Sequence, residues 1–171
     1  MEKLKRIVAA VLILALGTSL FAGCSDRKRG GPLDVEKVTY VIYGGYVNHD
    51  EVYVITSDHK VTQYSIDPDP HTRYDYLNGE FPSGDECKIT EYEMDEMDWT
   101  SMVNVLTKVN FMEMEEDISP SGDIDDACTY FIKVETSDAV HTSGGYAAGI
   151  GDSVDDRNFA KAQQYICNAL N

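Results

Sequence analysis

Basic residues are scarce in this chain. Its 171 residues hold 14 Lys and Arg against 30 Asp and Glu, a formal net charge of −16 at pH 7. Binding a phosphate backbone needs a basic footprint, so this balance excludes nucleic acid as a partner. It favours cations and basic peptides instead. Cysteine is sparse as well. The four cysteines show no Cys-x-x-Cys spacing, and His49, His59, His71 and His141 form no His-x-x-x-His pair, so the sequence offers no zinc site. There is no Gly-x-Ser-x-Gly elbow, no Ser-x-x-Lys and no Gly-x-x-x-x-Gly-Lys motif. These absences lead us to expect a non-enzymatic chain with no catalytic residue, metal or cofactor. Aromatic residues are not lacking: eleven tyrosines, five phenylalanines and Trp99 argue against disorder despite the charge.

Long apolar runs are also lacking, apart from the uncharged one between Ile7 and Ala22, which follows Lys3, Lys5 and Arg6. As a helix it would span about 24 Å, short of the ~30 Å hydrocarbon core. A positive start, a short apolar stretch and a small-residue end mark a signal peptide rather than a permanent anchor. The stretch closes on Leu20-Phe21-Ala22-Gly23-Cys24, which resembles the lipobox of bacterial prolipoproteins, with Phe21 where an aliphatic residue is commoner. The resemblance implies diacylglycerol on the Cys24 thiol, cleavage just before it, and a protein lipid-anchored to the cell membrane on its extracytoplasmic side. Two acyl chains anchor stably where one binds marginally.

The expected organisation is a signal peptide over 1–23, a lipidated tether over 24–33 and a single domain over 34–171. Gly30-Gly31-Pro32 gives the tether its flexible character. Removing Lys3, Lys5, Arg6 and Glu2 with the signal leaves 11 basic and 29 acidic residues, a net of −18. A domain so charged is repelled by an anionic membrane surface and stands off its tether.

Periodicity outlines the rest. Val38–Tyr43, Glu51–Ser57 and Lys60–Ile66 read as strands, the last two joined by a turn at Asp58-His59 that would set Tyr53 opposite Tyr64. Residues 67–86 hold three prolines, two glycines and six acids without a period, the pattern of a long functional or disordered loop. Cys87–Glu93 reads as a short strand. Asp95 caps a helix over 96–109 whose Trp99, Met102, Val103, Leu106 and Val109 share one face, the spacing of a core stripe. Phe111–Asp126 reads as an acidic connector. Ala127–Thr136 and Val140–Ser143 form a second hairpin, and Ser153 with Asp156 starts a closing helix over 154–169 lined by Phe159, Ala162, Ile166 and Leu170. Thr-Ser-Asp recurs at 56–58 and 136–138, and Gly-Gly-Tyr at 44–46 and 144–146. Shared turn chemistry explains this better than a repeat. The fold expected is α+β, an antiparallel sheet built from hairpins and packed on one face by two helices.

The stretch from Asp125 to Ala169, with its tyrosine-bearing strand, Ser143-Gly144-Gly145-Tyr146 and closing helix, resembles small lipoproteins common in Gram-positive bacteria. That resemblance implies a location and a fold but no site. The leading functional expectation is protein or basic-peptide binding through the acidic segments 67–86 and 113–126. A calcium or cell-envelope ligand sensor using Asp123, Asp125 and Asp126 is the main alternative, although these acids lack the EF-hand order. A hydrolase whose triad converges only in the fold is the third. Cys128 and Cys167 read as buried thiols, with one disulfide among Cys87, Cys128 and Cys167 left open.

Overall fold

Six strands and two helices follow from these patterns in a computed structural model that describes residues 31–67, 74–122 and 124–171. The signal segment, Cys24 and Asp123 lie outside the described residues. Strands β1 (Val35–Tyr43), β2 (Asp50–Thr56), β3 (Lys60–Ile66) and β4 (Cys87–Glu93) precede helix α1 (Glu96–Lys108). Strands β5 (Thr129–Thr136) and β6 (Val140–Tyr146) and helix α2 (Val154–Ala169) follow. The strands form one sheet in the order β4-β3-β2-β1-β5-β6, with every neighbouring pair antiparallel. This is the α+β architecture expected, with both helices on one face.

Side-chain alternation divides the sheet into two apolar layers. Val38 and Tyr40 of β1, Ile55, Val61, Ile132 and Val134 pack with Met102, Val105 and Leu106 of α1 and with Phe159, Ala162 and Ile166 of α2. On the opposite face, Val41, Val52 and Ile66 are covered by Tyr43, Tyr64, Tyr76, Leu77, Phe81 and Phe131. The 67–86 loop is therefore not a free excursion throughout. Asp75 caps a 3-10 turn at Tyr76–Asn78, and the Phe81 ring stacks on Tyr64 with centroids 4.0 Å apart. Central β1 is buried on both sides at Val38, Thr39, Tyr40 and Val41, which accounts for its nearly unbroken apolar run.

Helix termini match their local signals. The Asp95 side chain accepts the Met97 N–H, and Ser153 and Asp156 form a reciprocal capping box. The α1 stripe is shifted slightly: Val105 is buried, whereas Trp99 and Val103 only flank the core. Trp99 instead lies 6.0 Å from the His59 ring, over the β2–β3 turn.

Three expectations are corrected. Tyr53 faces Gln63, and Tyr64 faces Val52. Ser57 joins Asp58 and His59 in a three-residue loop, which His59 closes at φ 67°, slipping the register by one. Tyr53 stacks instead on its β1 partner Tyr40, at 6.3 Å. β6 also runs on to Tyr146. Finally, the acidic connector buries Phe111, Met114 and Ile118 and so belongs to the core as much as to the surface.

Candidate functional site

The two edges of the sheet are treated differently. At β6, the connector lies alongside as a short parallel bridge: Ile118 N–H donates to the Gly144 carbonyl at 2.9 Å and Gly144 N–H to the Glu116 carbonyl at 3.0 Å. The Ser143 hydroxyl donates to the Glu115 carbonyl at 2.6 Å, and Tyr146 N–H donates to Ser119 Oγ at 3.0 Å. Gly144 and Gly145 make this approach possible. Their φ angles of 155° and 140° are reserved for glycine, and a Cβ would strike the Tyr130 carbonyl at the first and Ser119 Oγ at the second. This supplies a physical reason for Ser143-Gly144-Gly145-Tyr146.

At β4 no described residue plays that part. Met94 N–H donates to the His59 carbonyl at 2.8 Å, and Asp67 N–H donates to the Glu86 carbonyl at 3.0 Å. These bonds bracket the β3–β4 ladder and set its phase: the backbones of Lys88, Thr90 and Tyr92 face β3. Those of Ile89, Glu91 and Glu93 face outward. Every residue from Lys88 to Glu91 is exposed, and Ile89 keeps 57% of its surface in solvent. Seven acids lie from Asp85 to Asp98 (Asp85, Glu86, Glu91, Glu93, Asp95, Glu96 and Asp98) against Lys88 alone. All seven are exposed.

The ends of the two acidic segments stand at opposite edges of the sheet, although the 76–79 part of the first crosses the open face to β5, where Lys133 holds the Leu77 carbonyl. Glu116 and Asp117 flank β6, while Asp85 and Glu86 lead into β4. Five inter-strand steps of roughly 4.8 Å separate these edges, about 24 Å. That exceeds the ~8–10 Å screening length at ordinary salt, so the two edges barely feel each other's charge. Asp67 pairs with His49 Nδ1 at 2.7 Å. Asp126, at φ 58°, accepts the Tyr46 hydroxyl at 2.8 Å, and Asp155 caps the Glu115 N–H at 3.0 Å. Among the described residues no group of three His, Cys, Asp or Glu side chains is placed to hold a metal ion.

Sequence reasoning missed a cleft of about 280 Å³ on the face opposite the helices, floored by Lys37, Thr39, Lys133 and Glu135 and bounded by Tyr76, Leu77 and Phe81. Glu135 Oε1 lies 2.8 Å from Lys37 Nζ and 3.4 Å from Lys133 Nζ, and Lys133 donates to the Leu77 carbonyl at 2.9 Å. Burial pushes the Glu135 carboxyl up, but the two lysines outweigh it and hold it below the usual range. The cluster clamps the 76–79 turn onto the sheet. Its only sequence signal is Lys37, Lys133 and Glu135 standing at alternating strand positions.

Cys87, Cys128 and Cys167 are free thiols, each partly exposed rather than buried. Cys167 Sγ lies 3.7 Å from the Tyr40 hydroxyl. No described helix is long and apolar enough to cross a membrane. No protein-family model matches the chain, and no curated protein matches it.

Proposed function

We propose that this chain is a lipid-anchored, extracytoplasmic and non-enzymatic domain that binds a protein or basic peptide. The observation that carries the reading is the display of seven exposed acids between Asp85 and Asp98 around a sheet edge that no described residue covers. Of the seven, Asp95 is spent on the α1 cap and Glu93 stands opposite Lys60 across the ladder, but neither Glu91 nor Glu93 forms an ion pair among the described residues. A concentrated field of one sign steers partners of the other sign. Lipid on Cys24 would hold the domain at the membrane.

A photo-cross-linking residue placed at Thr90 in intact cells tests the binding role. A discrete adduct is expected there, weakened by added salt and absent when the same residue sits at Val140, which is also exposed. The same adducts from both positions would overturn the reading. Cys24→Ala tests the anchor: the variant should lose fatty-acid label and leave the detergent-rich phase. Retained label would contradict it.

A further inference from the structure

We infer that β4 receives an added strand from an extended basic peptide, which pairs with the outward backbone groups of Ile89, Glu91 and Glu93. The inference rests on the binding role just proposed and specifies its mode.

The backbone argument comes first. Because Lys88, Thr90 and Tyr92 spend their N–H and C=O groups on β3, the odd-numbered residues turn theirs away from the sheet. The Cys87 N–H is already given to the Gly84 carbonyl. The donors left at Ile89, Glu91 and Glu93 lie at alternate positions, the repeat of a strand ladder. Edges of this kind are templates for pairing, and chains blunt them with charged side chains, proline, a bulge or a cover; β4 has only charge, on Lys88, Glu91 and Glu93. β4 has no proline, and its register with β3 runs unbroken from Lys60–Glu93 to Ile66–Cys87. The chain supplies such a cover at β6, through Glu116 and Ile118, but no described residue supplies one here.

The side chains then select the occupant. Ile89, Glu91 and Glu93 project to the face opposite the helices, since Ile89 pairs with Tyr64 of the second apolar layer. A partner strand would therefore place an apolar residue beside Ile89 and basic residues beside Glu91 and Glu93. The acids also discourage a second copy of this chain, because like charges set opposite each other across a ladder destabilise it. The surface thus disfavours self-pairing and favours a basic strand, a peptide-recognition mode in which main-chain bonds hold and alternate side chains select.

The test uses the full domain and a fluorescent peptide, Lys-Thr-Lys-Thr-Val-Thr, followed by anisotropy at low ionic strength. Binding should weaken about tenfold or more when alternate peptide nitrogens are methylated, because ladder hydrogen bonds are lost while charge is kept. Ile89→Pro should weaken it similarly, since proline there removes an outward donor without touching the β3 ladder. Saturation with the unmethylated peptide should slow amide exchange at Ile89, Glu91 and Glu93. Equal binding of the methylated and unmethylated peptides, with exchange unchanged, would overturn strand addition and leave simple charge attraction. Binding of the lysine peptide no tighter than that of the same peptide with glutamate in place of each lysine would remove the basic-peptide reading itself. Should Ile89→Pro not fold, the methylated peptides against the unaltered chain still decide.

Discussion

Tyr40, in the middle of β1, accepts a hydrogen bond from Gln163 Nε2 of α2 at 2.9 Å, so the central strand and the closing helix meet through a polar contact inside an apolar layer. Burial pushes the Tyr40 hydroxyl far above its ordinary range, and the nearby Cys167 adds to this. Burial likewise raises Tyr53 to about 12 and Tyr130 to about 12. Unfolded tyrosines ionise near 10. A group raised in the folded state stabilises it below the unfolded pKa and loses that contribution as pH rises through the folded one. Stability should therefore hold to about pH 9 and fall between pH 10 and 12. Thermal melts with tyrosinate absorbance check this, and unchanged melting at pH 11.5 would contradict it. Tyr40→Phe should flatten the fall and cost about 1 kcal/mol at neutral pH through the lost bond.

Leu106 is fully buried beneath α1, whereas Trp99 only flanks the core. Leu106→Ala should cost about 2–5 kcal/mol in urea unfolding, as large-to-small changes in a core do. Trp99→Phe, which leaves an aromatic ring over His59, should cost clearly less. The reverse ranking would show that the layer centres on the tryptophan.

Gly145 and Gly122 make a matched pair. A Cβ at Gly145 meets Ser119 Oγ and Asp117 Oδ1, whereas at Gly122 it meets nothing within 4 Å. Gly145→Ala should lower the melting temperature and speed amide exchange at Ile118 and Gly144 as the connector lifts from β6. Gly122→Ala should do neither.

Acids gather at each edge of the sheet, Asp85 and Glu86 at β4 and Glu116 and Asp117 at β6, so salt should stabilise the domain through general screening. Sodium and calcium at matched ionic strength should then raise melting equally. A calcium-specific shift abolished by Asp125→Asn would favour the sensor alternative, because a bound ligand stabilises by RT ln(1 + [L]/Kd).

Local chemistry explains what could be read in advance. The Ser153–Asp156 box and the Asp95 cap act within three residues, and both helices begin where those signals place them. β3 and β4 span the residues expected of them. One miss was local: Ser57 joins the β2–β3 loop and His59 closes it in the left-handed region, a choice of turn that no propensity specifies. The other missed features depend on residues far apart in the chain. Tyr76 and Phe81 look like loop residues until Tyr64 and Tyr43 supply the surface they cover. The open edge at β4 was invisible for the same reason, because which strands lie outermost is a property of the sheet order.

The place of β1 between β2 and β5 carries a kinetic consequence. Its pairing with β2 closes a short turn, but Tyr40 meets Ile132 only after the chain has passed through two further strands and a helix. Lengthening a loop adds closure entropy slowly, about 0.6 kcal/mol per doubling, yet such distant contacts must form before they reward the chain and so set a slow rate. Until β5 arrives, the β1–β4 meander is a half-sheet open along both β1 and β4, with Val38, Tyr40 and Val41 waiting for cover. Docking of the β5–β6 hairpin onto β1 closes the β1 edge, and a half-sheet with open edges is the kind of species exposed to aggregation.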